Sequence, residues 1–197
     1  NTATIFAKQR AFSQKTSYMT AIARKLLNRK SETVRLPIPQ EQNLDEYVAA
    51  KFIPYTGKSS RDIASELQVS AAPTAKNYNS SLAFAMLGAS KSSISKIEQF
   101  SKANISQFKS VTIYPDGLPR EHMSFKAITD DQWEEWANPQ TTWEQSFVRD
   151  FFETSKFLIM VSKSPIPYQS GHDKAKDIFK GAFLWNMPED DIEQYVK

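Results

Sequence analysis

The stretch Phe157–Val161, F-L-I-M-V, constrains the fold most, because a continuous apolar run of strand length leaves no face for water. It fits a central strand buried on both faces. Ile178–Trp185 reads as a further strand. Ile105–Ile113, I-S-Q-F-K-S-V-T-I, alternates instead, placing Ile105, Gln107, Lys109, Val111 and Ile113 on one face and Ser106, Phe108, Ser110 and Thr112 on the other. A lysine is rarely set into a core-facing row. Either Lys109 escapes to solvent along its own methylenes, or it does something there. The Pro115-Asp116-Gly117 turn follows, and a hairpin partner strand is expected through Met123-Ser124-Phe125.

Helices are signalled between and around these strands. Thr16 or Ser17 caps one to about Asn28, after a short strand over Ala7–Gln14. Asn43 caps Leu44–Phe52, which Pro54 ends, and Ser59 or Ser60 caps R-D-I-A-S-E-L. A helix over about Ala75–Leu87 stops at Gly88. Ser90–Lys102 is polar, anchored by Ile94, Ile97 and Phe100. Thr129 with Gln132, and Thr142 with Gln145, form capping boxes for helices carrying Trp133, Trp136 and Trp143–Glu153. Pro188 opens a last helix whose first turn holds Glu189, Asp190 and Asp191, suited to the positive dipole end. The class is α+β, a mixed sheet flanked by helices. The tryptophans Trp133, Trp136, Trp143 and Trp185 are expected to fill the core.

At 197 residues the chain has room for one good-sized domain with an appendage. The proline- and charge-bearing stretch 31–42, with Pro37 and Pro39, reads as a linker. No apolar run approaches the roughly 20 residues needed to cross a bilayer, and the opening has no apolar core with a cleavage site, so neither membrane nor secretion is expected. Absence of cysteine excludes disulfides and thiolate metal sites and suits a cytoplasmic protein. Net charge is only +3. Its distribution says more: Ala7–Lys30 carries Lys8, Arg10, Lys15, Arg24, Lys25, Arg29 and Lys30 and no acid, a candidate phosphate-facing surface or a solvated basic helix face.

Two patterns touch nucleic-acid chemistry. Arg61–Ser70 followed by a helix has the outline of a helix-turn-helix, yet the would-be recognition helix carries one basic residue, Lys76, and ends in A-F-A-M-L. Metal-dependent nucleases of the PD-(D/E)xK type place an acid two residues before a lysine on one strand face, where paired carboxylates hold Mg²⁺. Here Lys109 is present, but that position is the amide Gln107, which adds no charge. His122 and His172 lie far apart and read as surface or hydrogen-bonded histidines.

Taken in order, S-S-R-D-I-A-S-E-L, S-L-A-F-A-M-L-G-A-S, I-S-Q-F-K-S-V, T-W-E-Q-S-F-V-R, F-L-I-M-V and L-W-N-M-P-E-D-D-I resemble the MutH mismatch-repair nuclease fold. The opening A-K-Q-R-A-F-S-Q-K-T-S-Y-M-T resembles a segment of the two-domain GATC-specific type II restriction endonucleases related to MutH. In those enzymes a catalytic domain precedes a second, inactive MutH-like domain. The resemblance therefore implies that 1–30 is the tail of the catalytic domain with a basic helix, and 43–197 a noncatalytic MutH-like domain, truncated at its C-terminus. It implies a restriction-endonuclease-like PD-(D/E)xK core with a degenerate site. The family's carboxylate positions are Phe84, Phe100 (with Glu98 two residues out of register) and Gln107, leaving Lys109. No cofactor is then implied for this chain, and Mg²⁺ for the catalytic domain. The implied function is binding a second DNA site and stimulating cleavage by the partner domain, the parent being a site-specific deoxyribonuclease. The DNA-contacting set would be Lys8, Arg10, Lys15, Arg24, Lys25 and Lys109. Partners would be double-stranded DNA containing GATC, the catalytic domain of the same polypeptide, and a second copy in a DNA-induced dimer. The alternatives are an Mg²⁺-dependent nuclease with Glu98 in a rearranged site, and a helix-turn-helix regulator.

Overall fold

Ile105–Ile113 (β1), Lys156–Lys163 (β2) and Ile178–Trp185 (β3) form a mixed sheet in the order β1-β2-β3, so the continuous apolar run occupies the central strand. The structure is a computed structural model that describes residues 34–89, 93–119, 122–125, 127–169 and 172–196, together with Met19 and Ala23. The chain divides into two units, Asn1–Glu32 and Thr33–Lys197. In the first, Met19 and Ala23 are helical, and the strand expected over Ala7–Gln14 lies outside the described residues.

β1 runs parallel to β2, and β3 antiparallel to it. The antiparallel pair is thus not the expected hairpin. Among the described residues only Pro119 bridges back to Ile113, and 122–125 forms no strand. The turn forms as read, with the Gly117 N–H on the Tyr114 carbonyl at 2.9 Å, but β1 takes its ladder partner from β2 instead.

Leu158 and Met160 point to the main core, where they meet Tyr47, Val48 and Phe52 of Leu44–Phe52 (α1), Ile63 of Ser60–Glu66 (α2) and Leu82, Phe84 and Met86 of Tyr78–Met86 (α3). α1 begins on a full capping box between Asn43 and Glu46, and α2 on the Ser59 hydroxyl. α3 starts later than its sequence suggests and closes at Gly88, whose φ of +74° suits a residue without Cβ. Ile97 and Phe100, at the start and inside Glu98–Lys102 (α4), complete this layer.

Residues of the expected linker are docked on this unit from Val34 onward. Val34 bridges to Ile97, Leu36 is buried, and the Gln99 side chain accepts from the Leu36 N–H at 3.0 Å and donates to its carbonyl at 2.7 Å. An apolar residue whose backbone groups are both satisfied is a packed strand-like segment, not a spacer.

On the sheet's other face Phe157 meets Phe125 and Phe151, leading to a second cluster of Val148, Phe152 and Ile192. The helices here are Asp130–Ala137 (α5) and Phe147–Thr154 (α6). The second expected capping box is replaced: Trp143–Gln145 forms a 3₁₀ turn, and Ser146 caps α6 by accepting from the Arg149 N–H at 3.2 Å. Glu189–Asp191 (α7) continues into a π-helical turn, Ile192–Val196. Of the four tryptophans expected in the core, the side chain of Trp136 lies outside the described residues, and the other three are not fully buried. Trp133 is 53% exposed on α5, and Trp143 and Trp185 are half-buried. Among the described residues no helix is long and apolar enough to cross a membrane.

Candidate functional site

β1 carries the positions that matter most. Its register against β2 shifts between Ile105 and Gln107, so Ser106 is the extra residue of a β-bulge. The bulge breaks the expected row: Ile105 turns into the main core with Phe108, while Gln107, Lys109, Val111 and Ile113 keep the opposite face.

Lys109 is half-buried, and among the described residues no carboxylate pairs with it. Its ammonium donates to the Ser124 carbonyl and lies 5.4 Å from the centre of the Phe125 ring. Burial holds it below the ordinary lysine range. The strand lysine therefore fastens 122–125 over the sheet, and Phe125 in turn packs edge-on against Phe157 at 5.3 Å.

The other family positions fall on the sheet's far side. Phe84 is buried in α3 and its ring meets Phe108 at 6.0 Å. Phe100 is fully buried in the same cluster. Glu98, the only acid nearby in sequence, pairs with Lys102 at 2.5 Å. So the structure brings Phe84 and Phe100 together in one core and sets Gln107 and Lys109 on the opposite face. Two phenylalanines and an amide supply no charge, and this donor set does not fit a divalent cation. Among the described residues no three of His, Asp and Glu come together as metal ligands.

A cavity of about 520 Å³ opens beside Phe84, lined by Gln68, Ser70, Asn77, Ser80 and Ser93. No charged side chain lines it among the described residues. The helix-turn-helix outline does not expose a reading helix, since Leu82 through Met86 are all buried. Of the residues expected to meet DNA, Lys8, Arg10, Lys15, Arg24 and Lys25 lie outside the described residues.

One polar cluster escapes sequence reasoning. His172 is buried and its Nε2 is 2.7 Å from Asp177 Oδ1. Burial pushes the Asp177 carboxyl up, and the His172 hydrogen bond pulls it partly back. The histidine was expected to be surface or hydrogen-bonded, and it is the latter. His122 is exposed. The spacing H-D-x-x-x-D offers two aspartates, and Asp173 instead accepts from the Ala175 N–H at 2.9 Å, capping the 3₁₀ turn Lys174–Lys176.

No family model matches the chain. Its similarity among known proteins points to the type II restriction enzymes. One relative is the type II restriction enzyme Sau3AI of Staphylococcus aureus, 31% identical over 207 residues, an alignment that takes in 98% of this chain and 40% of that enzyme. The chain thus spans 40% of the length of the curated relative it matches, and the relationship to a restriction enzyme runs through nearly all of its residues.

Proposed function

We propose that this chain is a noncatalytic, DNA-binding MutH-like domain of a GATC-recognising type II restriction endonuclease. It binds a second DNA site and, as an allosteric effector, raises cleavage by the catalytic domain of the same polypeptide. In this reading 1–30 is the tail of that catalytic domain and its basic residues face DNA, the Mg²⁺ belongs to the catalytic domain, and the protein works in the cytoplasm.

One observation carries the reading. A relationship to a restriction enzyme over 98% of this chain coincides with Phe84 and Phe100 on helices and Gln107 on β1 at the positions where the MutH resemblance expects carboxylates. A protein built around a restriction-enzyme relative's sequence but without the carboxylates retains the DNA surface and not the chemistry. Against a rearranged nuclease site stands the engagement of Glu98 with Lys102.

The test uses a GATC duplex and Mg²⁺. The chain should leave the duplex intact, and a second GATC duplex should speed cleavage by an enzyme containing both domains. Nicking by this chain that disappears in Lys109→Ala would overturn the reading.

A further inference from the structure

We infer that the end of the sheet where β1 and β2 finish and β3 begins is a duplex-DNA contact surface, with Tyr168 as its aromatic contact and Lys163 and Lys176 on phosphates. The inference rests on the DNA-binding reading above and names the surface that serves it.

Strand register places these residues together. Ile113 lies opposite Lys163, and Lys163 opposite Ile178. Lys176 precedes Ile178 in the 3₁₀ turn, and Tyr114 directly follows Ile113. Tyr114 is 2% exposed, and its ring meets Tyr168 edge-on, with centroids 5.4 Å apart and planes at 87°. Tyr168 itself is 51% exposed.

The exposed ring is held from behind. His172 packs against Tyr114 at 6.0 Å, and Asp177 holds His172. Pro165 and Pro167 restrict the loop before Tyr168, and the Ser164 hydroxyl donates to the Ile166 carbonyl at 2.9 Å while accepting from its N–H at 3.2 Å. A braced aromatic half in water has little freedom left to lose on binding, which favours it as a contact on a deoxyribose or a base edge in a groove.

The charge around the ring suits phosphate. Lys163, Lys176 and Lys180 are exposed on this end. Among the described residues these three lysines outnumber the exposed acids nearby, Asp173 and Asp116, each of which accepts a backbone N–H, from Ala175 and Leu118, while Asp177 is buried. The contrast is with α5, whose Asp130, Asp131, Glu134 and Glu135 are all exposed and repel phosphate. A protein partner would call for a broader apolar patch than exposed Tyr168, and Leu118 on the turn after Tyr114, provide.

The test measures affinity of the full chain for a GATC duplex by fluorescence anisotropy at several salt concentrations. Lys163→Gln/Lys176→Gln should weaken binding and reduce the salt slope by about two, roughly one per lost phosphate contact. Tyr168→Ala should weaken binding at least about fivefold with no change in salt slope, and Tyr168→Phe should restore it. Trp133→Ala, on the acidic α5, should bind like the wild type. Wild-type affinity in both the lysine and the Tyr168→Ala variants, with the wild type itself binding, overturns this surface alone. A wild-type chain with no affinity for the duplex overturns the DNA-binding reading as well.

Discussion

The Lys109 ammonium lies over the Phe125 ring, 5.4 Å from its centre, and donates to the Ser124 carbonyl one residue earlier. A lysine that seemed misplaced on a strand is the peg on which 122–125 is hung. Lys109→Ala should cost about 1 kcal/mol in urea unfolding, from a lost charge-assisted hydrogen bond and cation–π contact set against relief of the buried charge. Lys109→Met, which keeps the methylenes, should lose less. DNA affinity should hardly change in either.

Asp177 gives a pH signature. Its carboxyl is raised above the ordinary 3.8, by burial first. A carboxyl raised in the folded state contributes stability that is complete below the unfolded value and is lost as pH rises through the folded one. The stability of the wild type relative to Asp177→Asn should therefore fall across the pH window that runs from the ordinary 3.8 up through the raised folded value. A difference that stays flat or rises across that window contradicts the assignment.

Arg149 ties α6 to the chain's last turns. It reaches Glu153 at 2.6 Å, Glu189 at 3.3 Å and Glu193, which also accepts from the Trp143 indole at 2.8 Å. Arg149→Ala should lower the melting temperature. Arg149→Lys should not restore it, because a single ammonium cannot match the planar fork that spans these carboxylates. Thermal melts followed by circular dichroism would check both.

The parts of this fold legible in the sequence are those encoded locally. β2 announced itself by unbroken apolarity, and α1 by Asn43 and Glu46 at capping-box spacing. Errors arose where local signals compete or distant pairing decides. Thr142 and Gln145 have the same spacing as Thr129 and Gln132, yet Ser146 takes the capping role one turn on. The Pro115-Asp116-Gly117 turn suggested a hairpin, but β1's partner is β2, far along the chain. The bulge at Ser106 leaves no mark on the side-chain pattern, so Ile105 was assigned to the wrong face. At the candidate site, the missing carboxylates were visible in Phe84, Phe100 and Gln107. The brace from Asp177 through His172 and Tyr114 to Tyr168 was not, because ring contacts between loops have no spacing rule.

The central claim is that this chain binds GATC-containing DNA without cutting it. It is tested most directly by incubating the chain with a labelled GATC duplex and Mg²⁺, reading retention and strand integrity in the same samples. The account predicts a retained, intact duplex, including at molar excess of the chain. Nicked strands at GATC, lost when Lys109 is changed to Ala, would contradict it.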